Sequence, residues 1–177
     1  HQNISKDVVN SLIKQVRVTD PWSELREKPS FPIDVNIETR VLSVDEKGSL
    51  NVAHSIQNGE QWDAILHIGL CESCKKPRLE SRAQDFLDMR IPDNAGRQIL
   101  PSPISGQGDL FSTVPLSEWM NSPWSTELEL SDNAGAFLCN ETLYRTLWEL
   151  GNNRTNDLKS LPCLFLHLPA QHSFSIE

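Results

Sequence analysis

Cys139 stands where a strand gives way to a helix. Before it, Thr126-Glu-Leu-Glu-Leu130 alternates as a strand does, and Ser131 to Asn133 form a polar turn. Beyond it, Leu138, Leu143, Leu147 and Leu150 recur at helical spacing until Gly151. A cysteine at or near a helix start lies among unpaired backbone N–H groups that stabilise a thiolate. Thiolate character in turn governs cysteine reactivity. The competing reading is a buried cysteine acting as a small hydrophobe. Two further residues could complete a site. His167 ends the apolar run Leu161-Pro-Cys-Leu-Phe-Leu-His-Leu168, and Glu80 falls in the loop after the apolar run Ala64-Ile-Leu-His-Ile-Gly-Leu70. A thiol, an imidazole and a carboxylate suit nucleophilic catalysis: the imidazole exchanges protons and the carboxylate orients it. Cys71-Glu-Ser-Cys74 offers a rival chemistry, as a zinc ligand pair or a redox dithiol. The chain has no second pair at zinc-finger spacing, and no helix start follows Cys71, so this reading is the weaker one.

The elements that must bring these residues together follow from the pattern. The spacing predicts helices over Ser5–Val16, Leu50–Gln57, Leu116–Trp124 and 139–150. It predicts strands over Ile33–Val44, 64–70, 126–130 and 161–168. Asp45-Glu-Lys-Gly48 reads as a break, Leu79–Met89 as irregular, and Ile91–Gly96 as a turn. Pro21–Pro32 and the Pro-, Ser- and Gly-rich residues 97–116 read as loops. Strands alternate with helices, and two strands are apolar throughout, as strands covered on both faces are. The expected fold is therefore an α/β chain with a mostly parallel central sheet in a three-layer α/β/α sandwich. In such sheets sites gather at the carboxyl ends of the strands.

The 177 residues, 38% hydrophobic and 23% charged, suit one soluble globular domain. The net charge of -8 argues against a nucleic-acid partner, which needs clustered Lys and Arg. No apolar stretch is long enough to span a membrane. Four cysteines in a chain of this length do not make a secreted disulfide framework, which points to a reducing cytoplasm. Sequons at Asn3, Asn140 and Asn153 point the other way, but such triplets arise by chance and Asn140 follows a cysteine expected to be buried. The chain begins at His1 rather than Met, as a fragment or processed product would.

Several segments resemble the pyroglutamyl peptidase I family of cysteine peptidases, also called pyrrolidone carboxyl peptidases. Ala134-Gly-Ala-Phe-Leu-Cys-Asn-Glu-Thr-Leu-Tyr144 is similar to the motif Ala/Pro-Gly-x-x-x-Cys-Asn-x-x-x-Tyr, whose Cys is the nucleophile. Leu164-Phe-Leu-His-Leu-Pro169 is similar to the strand whose His is the base. Arg90-Ile-Pro-Asp-Asn-Ala-Gly96 is similar to the Arg-Ile-Pro-Asp-Asn-x-Gly segment, and counting back without a gap places Glu80 on the catalytic Glu. Asp63-Ala-Ile-Leu-His-Ile-Gly69 is similar to the strand before it.

The resemblance covers roughly residues 1 to 170. It implies catalytic Cys139, His167 and Glu80, an oxyanion contact from Arg90, and a backbone contact to the substrate lactam at Leu70. For Arg90 an ion pair with Asp88 or Asp93 is the alternative; for Leu70 it is plain core. The implied substrates are peptides with N-terminal pyroglutamate, and the implied chemistry needs no metal or cofactor. Departures go with it. Leu70-Cys-Glu-Ser-Cys-Lys-Lys-Pro-Arg78 replaces a Gly-rich stretch ending in Arg, and Ser81-Arg-Ala-Gln-Asp85 replaces an Arg followed by an apolar run. The family's first strand and its Gly-Phe-x-Pro-Phe-like loop would precede Asn3, and its C-terminal helix would follow the His-Pro segment. The expectation is a single peptidase-like domain over 1–177, incomplete at the amino end and short at the carboxyl end. A truncated or diverged, non-catalytic relative is the alternative.

Overall fold

The computed structural model describes residues 4–19, 32–121, 123–152 and 161–170. They divide into two compact units, residues 5–41 and residues 1–4 with 42–177. Helix α1 (Ile4–Ser11) comes first. In the smaller unit, strand β1 (Gln15–Val18) pairs antiparallel with β2 (Ile33–Asn36), Gln15 opposite Asn36 and Val18 opposite Ile33. The sequence spacing had extended the first helix to Val16. Instead the alternating Gln15-Val-Arg-Val18 leaves the helix to make a strand ladder, a case of pairing overriding helical periodicity. Strand β2 stops at Asn36, not Val44, because its partner supplies only four residues. Most of the expected loop Pro21–Pro32 lies outside the described residues, as do Asn3 and Asn153.

The larger unit holds helix α2 (Glu46–Gln57), which starts four residues before its expected Leu50. The supposed break is its cap: the Asp45 carboxylate accepts the Gly48 N–H at 2.8 Å. Gly48 is tolerated there because a Cβ would overlap the Ser43 carbonyl oxygen. Then follow β3 (Ile65–Cys71), β4 (Arg78–Glu80), β5 (Arg82–Ala83), β6 (Leu110–Phe111), α3 (Leu116–Trp119), β7 (Glu129–Ser131), α4 (Leu138–Asn152) and β8 (Cys163–Pro169). The expected irregular segment Leu79–Met89 carries β4 and β5, and the expected loop 97–116 carries β6. These ladders of two or three residues are too short to show an alternation. The helix expected over Leu116–Trp124 ends at Trp119, and a 3-10 turn spans Pro123–Glu127.

Among the described residues four strands form the central sheet, in the order β3-β8-β4-β7. The pairs β3/β8 and β4/β7 are parallel and β4/β8 is antiparallel, so the sheet is mostly parallel. Alternation along β8 separates its two faces. Cys163 and Phe165 join Leu143, Tyr144 and Leu147 of α4, while Leu164 joins Leu79 and Leu116 below α3. Helix α2 packs on α4. This makes the expected three layers. Strand β8 is central, whereas β3 lies at the edge of the sheet, and its Leu66 is 54% exposed rather than buried on both faces as the apolar run suggested.

Candidate active site

Register decides which residues meet. Gly69 on β3 and Arg78 on β4 both lie opposite His167 on β8, so the chain between them crosses at the carboxyl end of β8. Glu80 lies opposite Phe165, two positions from His167, and therefore shares its face of the sheet. The two side chains meet: His167 Nδ1 lies 2.7 Å from Glu80 Oε1. A carboxylate only accepts, so Nδ1 carries the proton and Nε2 is left as the working nitrogen. Glu80 is fully buried and His167 is 6% exposed.

Cys139 reaches the same place from the first turn of α4, and its side chain acts on the His167 ring. Burial disfavours the imidazolium, but the Cys139 and Glu80 side chains more than offset it and raise the His167 pKa to about 9. Room for the thiol comes from Gly69, where a Cβ would lie 3.2 Å from Cys139 Sγ and 2.8 Å from two ring carbons of Phe165. Sequence reasoning did not single out Gly69 or Phe165. A lone glycine inside an apolar strand, which marks close approach by another group, was the available signal.

The other free thiol shows the contrast. Cys163 is fully buried, and desolvation alone pushes its pKa to about 12.

The residues after Cys139 hold the helix start in place. Asn140, fully buried, accepts the Gln84 N–H at 2.8 Å and donates to the Gln84 and Phe86 carbonyls at 2.9 Å. Its side chain is thus committed to the backbone. Glu141, also fully buried, pairs with Arg97, which Asp93 and Glu46 also hold. Tyr144 donates to the Gly108 carbonyl at 3.0 Å. The motif around Cys139 therefore ties three points of the single β5–β6 connection, at Gln84–Phe86, Arg97 and Gly108, to one helix.

Of the other expected site residues, Leu70 is half-buried and lies opposite Leu168, one step from the Gly69–His167 pair. Arg90 is exposed, and no ion pair joins it to Asp88 or Asp93; Asp93 binds Arg97 instead. No contact brings Arg90 to Cys139 among the described residues. Cys71 and Cys74 are joined in a disulfide, so the four cysteines are not all reduced, as a reducing compartment would leave them. The bond occupies both sulfurs that the zinc reading would need. Among the described residues no helix is long and apolar enough to cross a membrane.

A sequence profile described as pyroglutamyl peptidase matches residues 28–176. Pyrrolidone-carboxylate peptidase 1 of Caldanaerobacter subterraneus is 27% identical over 167 residues, 87% of this chain and 80% of that protein. The crystal structure of pyrrolidone carboxyl peptidase from Thermus thermophilus superposes with a TM-score of 0.69 at 26% identity, over 95% of this chain and 77% of that one. A mutant pyrrolidone carboxyl peptidase from P. furiosus shares the fold, with a TM-score of 0.72 at 23% identity over 94% of this chain and 73% of that one. The profile spans most of the residues, including every side chain of the Cys139 cluster, and the chain belongs to the pyroglutamyl peptidase family.

Proposed function

We propose that the chain is a cysteine peptidase that removes N-terminal pyroglutamyl residues from peptides. The observation that carries this reading is His167, held between Glu80 at Nδ1 and the Cys139 thiol. Cys139, as thiolate beside a protonated His167, attacks the pyroglutamyl carbonyl carbon. The carbonyl electrons move to oxygen, and the Cys139 backbone N–H at the start of α4 meets that charge. Arg90 is the second candidate donor. The intermediate collapses, the C–N bond breaks, and the leaving amine takes its proton from His167. A water then gives a proton to His167 and attacks the thioester, releasing pyroglutamate and the thiolate. Glu80 keeps the ring in one tautomer and stabilises its cation. Leu70 is proposed to present backbone to the lactam, whose lack of charge suits an apolar pocket.

A cytoplasmic location belongs to the same proposal, and the Cys71–Cys74 disulfide is the observation that opposes it. The test is release of a fluorophore from a pyroglutamyl amide. Wild type should be active, alkylation of Cys139 should abolish turnover, and Cys139→Ser should lower kcat by roughly 10³-fold or more. Activity that survives Cys139→Ser defeats the assignment. A folded wild-type chain without activity points to a non-catalytic relative.

A further inference from the structure

Phe165 is buried on β8 and packs against two histidine rings, His67 across the strand pair and His167 two residues along its own strand. Its ring centroid lies 4.7 Å from that of His167, at 45°, and 5.9 Å from that of His67, at 29°. The third boundary is bare backbone. Phe165 Cε1 and Cζ pack where a Gly69 Cβ would be, beside the Cys139 thiol. His67 behind it is fixed as well. Thr146 gives its one hydroxyl proton to the Thr142 carbonyl at 2.9 Å, so it must accept from His67 Nε2 at 3.0 Å. That puts a proton on His67 Nε2, and burial, which lowers the ring's pKa to about 4, keeps it an uncharged backing for Phe165.

Glu80 restrains His167 at one atom only. Its second carboxylate oxygen, Oε2, is buried with no hydrogen-bond partner among the described residues, so it adds no further anchor. A ring held by a single hydrogen bond can still swing about that bond. A packed wall removes this freedom, because close-packed interiors leave little room for a ring to turn.

We propose that Phe165, backed by His67, is a positioning residue that fixes the His167 ring between Glu80 and Cys139. The inference rests on the Cys-His-Glu reading above, and its test has a readout that does not depend on turnover. The groups facing His167 are Glu80 and Arg78 from β4 and Cys139 from α4, with His67 from β3 beyond Phe165; Arg78 is itself tied to Glu129.

The experiment follows the imidazole N–H resonances of the full chain by NMR, with the His167 Nδ1–H signal identified by its loss in His167→Gln. In Phe165→Leu that proton should exchange with water about 10-fold faster and the pH midpoint of the ring should fall, while kcat drops about 10-fold and KM stays within about twofold, the pattern of a misplaced reacting group. His67→Phe, which keeps an aromatic backing, should preserve the His167 signal, and His67→Ala should loosen it. Unchanged exchange and midpoint in a folded Phe165→Leu overturns the proposal. If that variant does not fold, His67→Ala decides by the same signal. A His167 signal that depends on Phe165 in a chain without peptidase activity sinks the functional reading and leaves the positioning role standing.

Discussion

His67 and His167 sit on neighbouring strands, both packed against one phenylalanine, and each is 6% exposed. Their proton affinities nonetheless part in opposite directions. Among the described residues the hydrogen-bond partner of His67 is the neutral Thr146 hydroxyl, and burial lowers its pKa to about 4. His167 suffers the same burial but faces a thiol and a carboxylate, and its pKa rises to about 9. Burial fixes how strongly a partner is felt; the charge of the partner fixes the sign. Two residues of one type thus become a structural ring and a candidate base.

Glu80→Gln is the sharpest way to break this contrast. It leaves His167 with a neutral acceptor, as His67 has. The pKa of His167 should drop, and kcat/KM for a pyroglutamyl amide should fall by roughly 10²-fold or more. A variant that keeps its rate would show that the carboxylate does not serve the ring.

Stability against pH should expose the same contrast without any substrate. Where His67 is neutral in the folded chain and protonated in the unfolded one, the unfolded state binds more protons. Its contribution is therefore present above about pH 6.5 and lost as pH falls toward 4. His167 has the opposite sign. Its contribution is complete below about 6.5 and lost as pH rises through about 9. Denaturant melts across this range should show His67→Phe flattening the acid side, by an amount bounded near 3 kcal/mol. His167→Gln should flatten the alkaline side. If His67→Phe leaves the acid limb unchanged, His67 does not carry that slope.

Thr146→Val should have the smallest effect. It removes the acceptor of His67 Nε2 and costs about 1–2 kcal/mol in a chemical melt. It should leave the His167 titration in place, and a matching shift there would mean that the two rings are coupled more tightly than packing alone implies.

The α/β class was legible in the sequence, and so were the segments that carry two of the candidate site residues. Cys139 and His167 lie in segments whose pattern survives in the structure, α4 and β8, whereas Glu80, expected in a loop, stands in strand β4. Their meeting depends on register, which the pattern alone did not specify. Short ladders were missed for a physical reason. β4, with three residues, and β5 and β6, with two, are held by neighbours rather than by their own periodicity. The helix cap at Asp45 reads as a break in the sequence because the same residue types serve turns and helix starts. The space at Gly69 was invisible for a different reason. What matters there is the absence of a side chain between groups that are distant in sequence, Phe165 and Cys139.

The disulfide has a mechanical meaning for this arrangement. The crossover from β3 to β4 must bridge two strand spacings, about 10 Å. The six residues 72–77 could reach about 20 Å if extended, so the span carries slack. Joining Cys71 to Cys74 holds three of its links to 5.4 Å between Cα atoms, about half their extended reach. What remains is a short tether between the flank that gives the thiol its room and the flank that grips the base.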